Sequence, residues 1–320
     1  MISRRLIRIK ALQVLFAHYR GENESLSKTE NELFHSISKA YDLYHFILLL
    51  VIELRNYAEN RTEQAKQKHI PTPEDLNPNT RFIDNKVVKL IEDNKYLIEF
   101  LRKQKLSWVN YPELIRKLYQ KIAASDYFSK YMNAPEASFA ADRQFIIHIL
   151  TRELEGFEDF EMCLEEQSIY WVDDVEFIVG MVCKTIKKLS EDQSPNFELP
   201  PVFKDIDDEE FARKLIRKVI LNHEQNVKLI DEYTVNWEVE RIANMDILIM
   251  EMAIAEIMEF PTVPVKVSLN EYIEVSKFYS TEQSSMFING VLDKIIAHLR
   301  SKNLINKQGR GLLGEDEQSE

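Results

Sequence analysis

From Pro264 to Leu299 the chain reads PVKVSLNEYIEVSKFYSTEQSSMFINGVLDKIIAHL, and its second half admits one kind of structure. Phe287, Ile288, Val291, Leu292, Ile295, Ile296 and Leu299 recur at three- and four-residue steps. That is the apolar stripe of a helix that must pack against another element. Ser268 with Glu271 has the spacing of a capping box, and Ser280 with Gln283 repeats it. The stretch is therefore predicted as a helix, a sharp break and a second helix. Asn289-Gly290 interrupts the stripe, where glycine costs roughly 1 kcal/mol relative to alanine. The expectation is that Gly290 lets a neighbouring helix backbone come close, the other reading being a ligand role.

The rest of the chain has the same bias. Only seven glycines occur in 320 residues, which points to long helices rather than strands and tight turns. An all-α fold follows. Cys163 and Cys183 form no Cys-x-x-Cys pair, so neither a disulfide framework nor a zinc site is expected. The N-terminus shows no compact apolar run with a cleavage site, and Phe46 to Ile52 is too short to span a bilayer. These features predict a soluble, cytoplasmic protein without membrane contact.

The net charge of −12 disfavours a general nucleic-acid binder, but its distribution is uneven. Residues 1–20 hold Arg4, Arg5, Arg8, Lys10 and Arg20 and no acid. In the helix predicted from Ser3 to Tyr19, with Ser3 as N-cap, Ala11, Leu12, Leu15, Phe16 and Tyr19 form one stripe. Arg4, Arg5 and Arg8 continue it on the same azimuth. Such an end either overhangs the body or meets an anion, which a helix N-terminus also favours; the plain alternative is a solvated basic end.

Residues 21–205 read as further helices, roughly 27–68, 84–104, 112–132, 137–154 and 158–189, with proline-marked loops between them. The acidic 153–176 segment is most simply a solvated face, and the aromatic-rich runs read as core. Helices follow from Asp208 to Glu232 and around Met245 to Ile254, the latter apolar on nearly every side and so central to a bundle. Residues 301–320 are polar and are expected to be disordered.

No catalytic signature accompanies this architecture. Gly309-Arg-Gly-Leu-Leu-Gly314 spells a dinucleotide-binding pattern but opens no βαβ unit. The histidines show no metal-ligand spacing, and no nucleophile motif surrounds either cysteine. A binding protein without metal or cofactor is expected rather than an enzyme.

The run SLNEYIEVSKFYSTEQSSMFINGVLDKI resembles the C-terminal signature of the NusB family through Asn270, Glu271, Lys277, Ser284, Phe287, Asn289, Gly290, Val291, Leu292 and Asp293. RRLIRIKALQVLFAHY is similar to that family's first helix at Arg4, Arg5, Arg8, Ala11, Leu12, Gln13 and Leu15, and NWEVERIANMDILIMEMAIAEIME to its central helix at Trp237, Arg241, Asp246, Ile249, Ala253 and Glu256. The resemblance implies a helical core from residues 1–20 and 206–300, with 21–205 as a helical insertion. It also implies an antitermination factor that binds single-stranded boxA-like RNA together with NusE, a small-subunit ribosomal protein, to keep RNA polymerase elongating, notably on ribosomal RNA operons.

On that reading Arg4, Arg5 and Arg8 contact phosphates. Lys277, Tyr279, Gln283, Ser284 and Phe287 hold bases where the last two helices meet, and Glu240 and Asp246 face the protein partner. Three departures stand out: Gln283 where an acid is common, Met286 where a base is common, and Glu251 in place of an arginine. Two other readings are a protein-interaction scaffold with a vestigial RNA site and the RNA-binding end of a ribosomal RNA methyltransferase. The latter needs a glycine-rich methyl-donor domain that this chain cannot supply.

Overall fold

The computed structural model describes residues 2–21, 25–234 and 243–313. Among these residues there are fifteen α-helices and no strand: α1 Arg4–Arg20, α2 Leu26–Lys66, α3 Pro73–Leu76, α4 Lys86–Glu92, α5 Lys95–Gln104, α6 Pro112–Ala123, α7 Asp126–Met132, α8 Phe139–Arg152, α9 Glu158–Gln167, α10 Val175–Lys188, α11 Ile206–Leu221, α12 His223–Tyr233, α13 Asn244–Glu259, α14 Val265–Tyr279 and α15 Glu282–Ser301. Several predicted helices are divided, each at a side chain that prefers a cap to a helix interior. Asn94 starts α5 by accepting from Leu97 N, and Ser125 starts α7 by accepting from Phe128 N. α11 and α12 part at Asn222, while α9 and α10 are separated by a 3₁₀ turn at Val172–Asp174.

The chain divides into two compact units, residues 38–202 and residues 2–37 with those from 203 onward. The boundaries fall inside α2 and just before α11, whereas the sequence reading set them at 20/21 and 205/206. A helix start is a poor guide to a unit boundary when one long helix contributes to both cores.

In the first unit α4, α7 and α10 pack on α8. Its interior is aromatic: Phe46 stacks on Trp108 at 3.9 Å, whose indole N–H donates to the Phe46 carbonyl, and Tyr131 stacks on Phe145 at 4.0 Å. Buried Asn85, Tyr131 and Asp142 satisfy one another there, with Tyr131 donating to Asp142 at 2.7 Å.

The second unit is built around α13, which touches α1, α11, α12, α14 and α15. Met250, Met252, Ala253 and Ile254 are buried on every side, as the all-round apolar pattern requires. The α15 stripe packs from Ile288 to Leu299, and Phe287 at its start is half-buried.

Four local expectations fail here. α14 begins at Val265, four residues earlier than the Ser268–Glu271 box implies, and both side chains serve tertiary contacts instead. Thr281, not Ser280, caps α15 by accepting from Ser284 N. Gly290 faces open space: a Cβ there would meet nothing within 4 Å. The close-approach glycine is Gly311, whose Cβ would lie 1.9 Å from the Pro261 carbonyl oxygen. The segment around it is ordered through residue 313, because Gln308 N and the Lys307 ammonium donate to the carbonyls of Pro261 and Phe260. The expected disorder therefore does not hold for 301–313, and residues 314–320 lie outside the described residues.

Candidate nucleic-acid interface

Helix α1 presents Arg4, Arg5 and Arg8 to carboxylates. Ser3 caps it, accepting from Leu6 N. Arg8 is 3% exposed and makes a two-pronged pair with Glu256, Nε to Oε2 at 2.8 Å and Nη2 to Oε1 at 2.6 Å. Glu256, fully buried on α13, also accepts from Ser268 at 2.7 Å and Tyr272 at 3.0 Å, so four donors converge on two oxygens. Burial alone would lower the Arg8 pKa; the hydrogen bonds and charge of Glu256 outweigh it and hold the guanidinium above its ordinary value. The expectation that Arg8 meets phosphate is thus corrected. A guanidinium on the core azimuth is a core residue when a buried carboxylate stands opposite, and this one reaches a partner 248 residues away.

Arg5 forms a similar fork with Glu271, both bonds 2.8 Å, and Arg4 donates Nε to Asp208 at 2.8 Å. Their side chains remain 40% and 37% exposed. The hydrogen bond from Arg5 holds the Glu271 carboxyl below its usual range. Arg4 lies over the Phe211 ring and opens onto a groove of about 630 Å³ along α11. Five cations line that groove, Arg4, Arg213, Lys214, Arg217 and Lys218, against two acids, Asp207 and Glu210. Arg213 and Arg217 also clamp Glu30 of α2. Sequence reading missed the α11 face, although the 213, 214, 217, 218 spacing of one helical side announces it.

The break between α14 and α15 gathers the remaining candidates unequally. Lys277 is exposed and pairs only locally with Glu274, and Gln283 is exposed. Tyr279 is half-buried, its hydroxyl accepting from Gln13 of α1 at 3.1 Å, so the break sits beside the first helix. Phe287 is half-buried. Ser284 is buried and its hydroxyl contacts Thr281 at 2.9 Å, which makes it part of the helix cap rather than an RNA contact. Phe278, which the sequence reading did not include, and Met286, one of its departures, are large exposed side chains at the same break.

Asp246 is also corrected. It is 5% exposed and accepts from the Ser280 hydroxyl, which ties α13 to the break and leaves no face for a partner. Glu240 lies outside the described residues, as do Trp237 and Arg241. Glu251, the departure on α13, is buried and 2.7 Å from His223 Nδ1; burial pushes its carboxyl up to about 7 against the opposing pull of His223. Tyr19 stacks on His223 at 4.4 Å. Among the described residues, no His, Cys, Asp or Glu group is arranged to hold a metal ion, and no helix is long and apolar enough to cross a membrane.

Known proteins match the part of the chain that forms most of this surface. The NusB family model covers residues 179–297, from within α10 to within α15, so α1 is outside it. The transcription antitermination protein NusB of Salinibacter ruber is 40% identical over 116 residues, 36% of this chain and 72% of the relative. That of Chloroherpeton thalassium is 43% identical over 112 residues, 35% of this chain and 53% of the relative. The Alkaliphilus oremlandii protein is 38% identical over 87 residues, 27% and 63% of the two chains. The chain thus spans about half to three-quarters of the length of these relatives. No solved structure matches. With two-fifths identity across most of the Salinibacter relative, the chain belongs to the NusB family.

Proposed function

We propose that this protein is a non-enzymatic, cytoplasmic antitermination factor that binds single-stranded boxA-like RNA together with NusE, within the RNA polymerase elongation complex on ribosomal RNA operons. The observation that carries this reading is the match to transcription antitermination proteins across α11–α15, the helices that carry the α14–α15 break and its exposed Lys277 and Gln283. Half-exposed Arg4 and Arg5 and the cations of α11 supply phosphate contacts; half-buried Tyr279 and Phe287 are the aromatic side chains at the break that meet bases. Gln283 suits this role, because a neutral amide repels phosphate less than an acid. The sequence reading took 21–205 as an insertion; the family match begins at residue 179, so the part of residues 38–202 before it is the extra helical region, dispensable for these contacts.

The test is titration of a boxA-like RNA strand with and without NusE, using the full chain and its Lys277→Gln/Phe287→Ala variant. Binding strengthened by NusE and weakened at least tenfold in the variant is expected. Affinity independent of both NusE and the variant would favour the scaffold reading with a vestigial RNA site.

A further inference from the structure

Residues 153–176 contain ten acids and no basic residue. A solvated face would account for the charge, but not for what lies among it. Ile169 is 80% exposed and Val109 77%, with Met162 and Val172 also open to solvent. These side chains belong to one locality of the 38–202 unit. Tyr111 donates to Glu166 and accepts from Gln167 at 2.9 Å, which holds the turn bearing Val109 against the end of α9. Trp108 and Trp171, the neighbours of Val109 and Val172, both pack on Phe46, at 3.9 and 5.2 Å. Lys117 and Lys121 pair with Asp159 and Glu153 of the run, and large apolar side chains uncovered in one locality beside the carboxylates left over have the composition of an interaction surface rather than of ordinary solvent-facing residues.

The placement of the acids adds a second argument. Glu165 and Glu166 sit in the last turn of α9, which has no basic residue there, so they face the negative end of the helix dipole. Among the described residues, Glu161 and Glu165 take part in no ion pair. Glu165 and Glu166 work against their own helix and a cation arriving from outside would relieve them, while Glu161, in the first turn, is exposed beside them without an ion pair.

We propose that this face docks a basic protein segment that carries apolar side chains. Its apolar groups would cover Val109, Ile169 and Val172 while its lysines or arginines meet Glu161, Glu165 and Glu166. Charge complementarity selects this occupant: the run repels nucleic acid and, at a net charge of −12, a second copy of this chain. The proposal is independent of the RNA-binding reading.

The probe is a fluorescently labelled Lys/Leu peptide with apolar residues at helical spacing, titrated into the full chain and followed by anisotropy and by Trp fluorescence. A Lys/Ser peptide of equal charge and a Glu/Leu peptide serve as controls. Binding of the Lys/Leu peptide at least tenfold tighter than either control is expected. It should weaken at least tenfold in Val109→Asp/Ile169→Asp and, separately, in Glu161→Lys/Glu165→Lys, with circular dichroism melts still cooperative and shifted only slightly, because all four residues are exposed and the two lysines act on opposite ends of the α9 dipole. Equal binding of the Lys/Ser peptide, affinity unmoved by either double variant, or a change of sedimentation mass in the variants showing that a second copy covers the face, would each overturn it.

Discussion

The two units use clustered charge in opposite ways. In the unit containing α1, Arg8 turns inward while Arg4 and Arg5 stay part-exposed, and all three find a carboxylate on α11, α13 or α14. In the unit containing α9, the acid-rich run is divided: Glu153 and Asp174 are buried, Glu153 and Asp159 pair with Lys121 and Lys117 of α6, and Glu161 and Glu165 stay exposed. Both stretches are single-sign runs in the sequence. What separates Arg8 from Glu161 and Glu165 is whether an opposite charge is built into the facing helix, which no local window contains. A charge run therefore marks a place where a counter-charge is needed; the fold decides whether that counter-charge is internal.

The largest test of this contrast is Arg8→Ala. It strands Glu256 as a buried charge and should destabilise the protein by about 3–5 kcal/mol, read from the urea midpoint. Replacing both partners, as in Arg8→Met/Glu256→Met, should cost less than Arg8→Ala alone. A midpoint for Arg8→Ala like that of an exposed α9 variant would remove the distinction between the two runs.

A next effect concerns glycines. Gly311→Ala drives a methyl into the Pro261 carbonyl and should either cost about 1–3 kcal/mol, as overpacking does, or release residues 302–313, seen as faster proteolysis there. Gly290→Ala on the open side of α15 should instead stabilise by about 0.5–1 kcal/mol, the ordinary gain from removing a helical glycine. Reversed signs for the pair would show that their surroundings have been misassigned.

A smaller effect lies in pH. The Glu251 carboxyl is raised from 4.5 to about 7 in the folded chain, so the folded state binds the extra proton between those values. Its contribution to stability is full below about 4.5 and is lost as pH rises through about 7. Glu251→Gln lacks this titration. The wild type should therefore lose stability relative to the variant across that window and run parallel to it above. A constant difference from pH 4.5 to 8 would contradict the assignment.

Much of the fold was readable from pattern. The Ser3 cap, the all-round apolar α13 and the α15 stripe are local signals, and each element formed where its own residues demand it. The site was less readable, because its residues take their roles from distant partners. Ser268 and Glu271 have capping-box spacing but bind Glu256 and Arg5; Asp246 looks like a partner-facing acid but receives Ser280. The α11 basic face was visible in the spacing and simply not weighed.

The central claim is that the α1 arginines divide their work, Arg8 holding the fold and Arg4 with Arg5 facing RNA. Titrating a boxA-like strand against Arg4→Gln/Arg5→Gln at three salt concentrations, alongside its urea midpoint, tests it directly. The account predicts weaker binding and a slope of log K against log salt flattened by about 1.4, roughly 0.7 for each lost phosphate contact on a single strand. The midpoint should move far less than for Arg8→Ala. An unchanged affinity and slope, with a midpoint lowered as much as in Arg8→Ala, would show that all three arginines are structural.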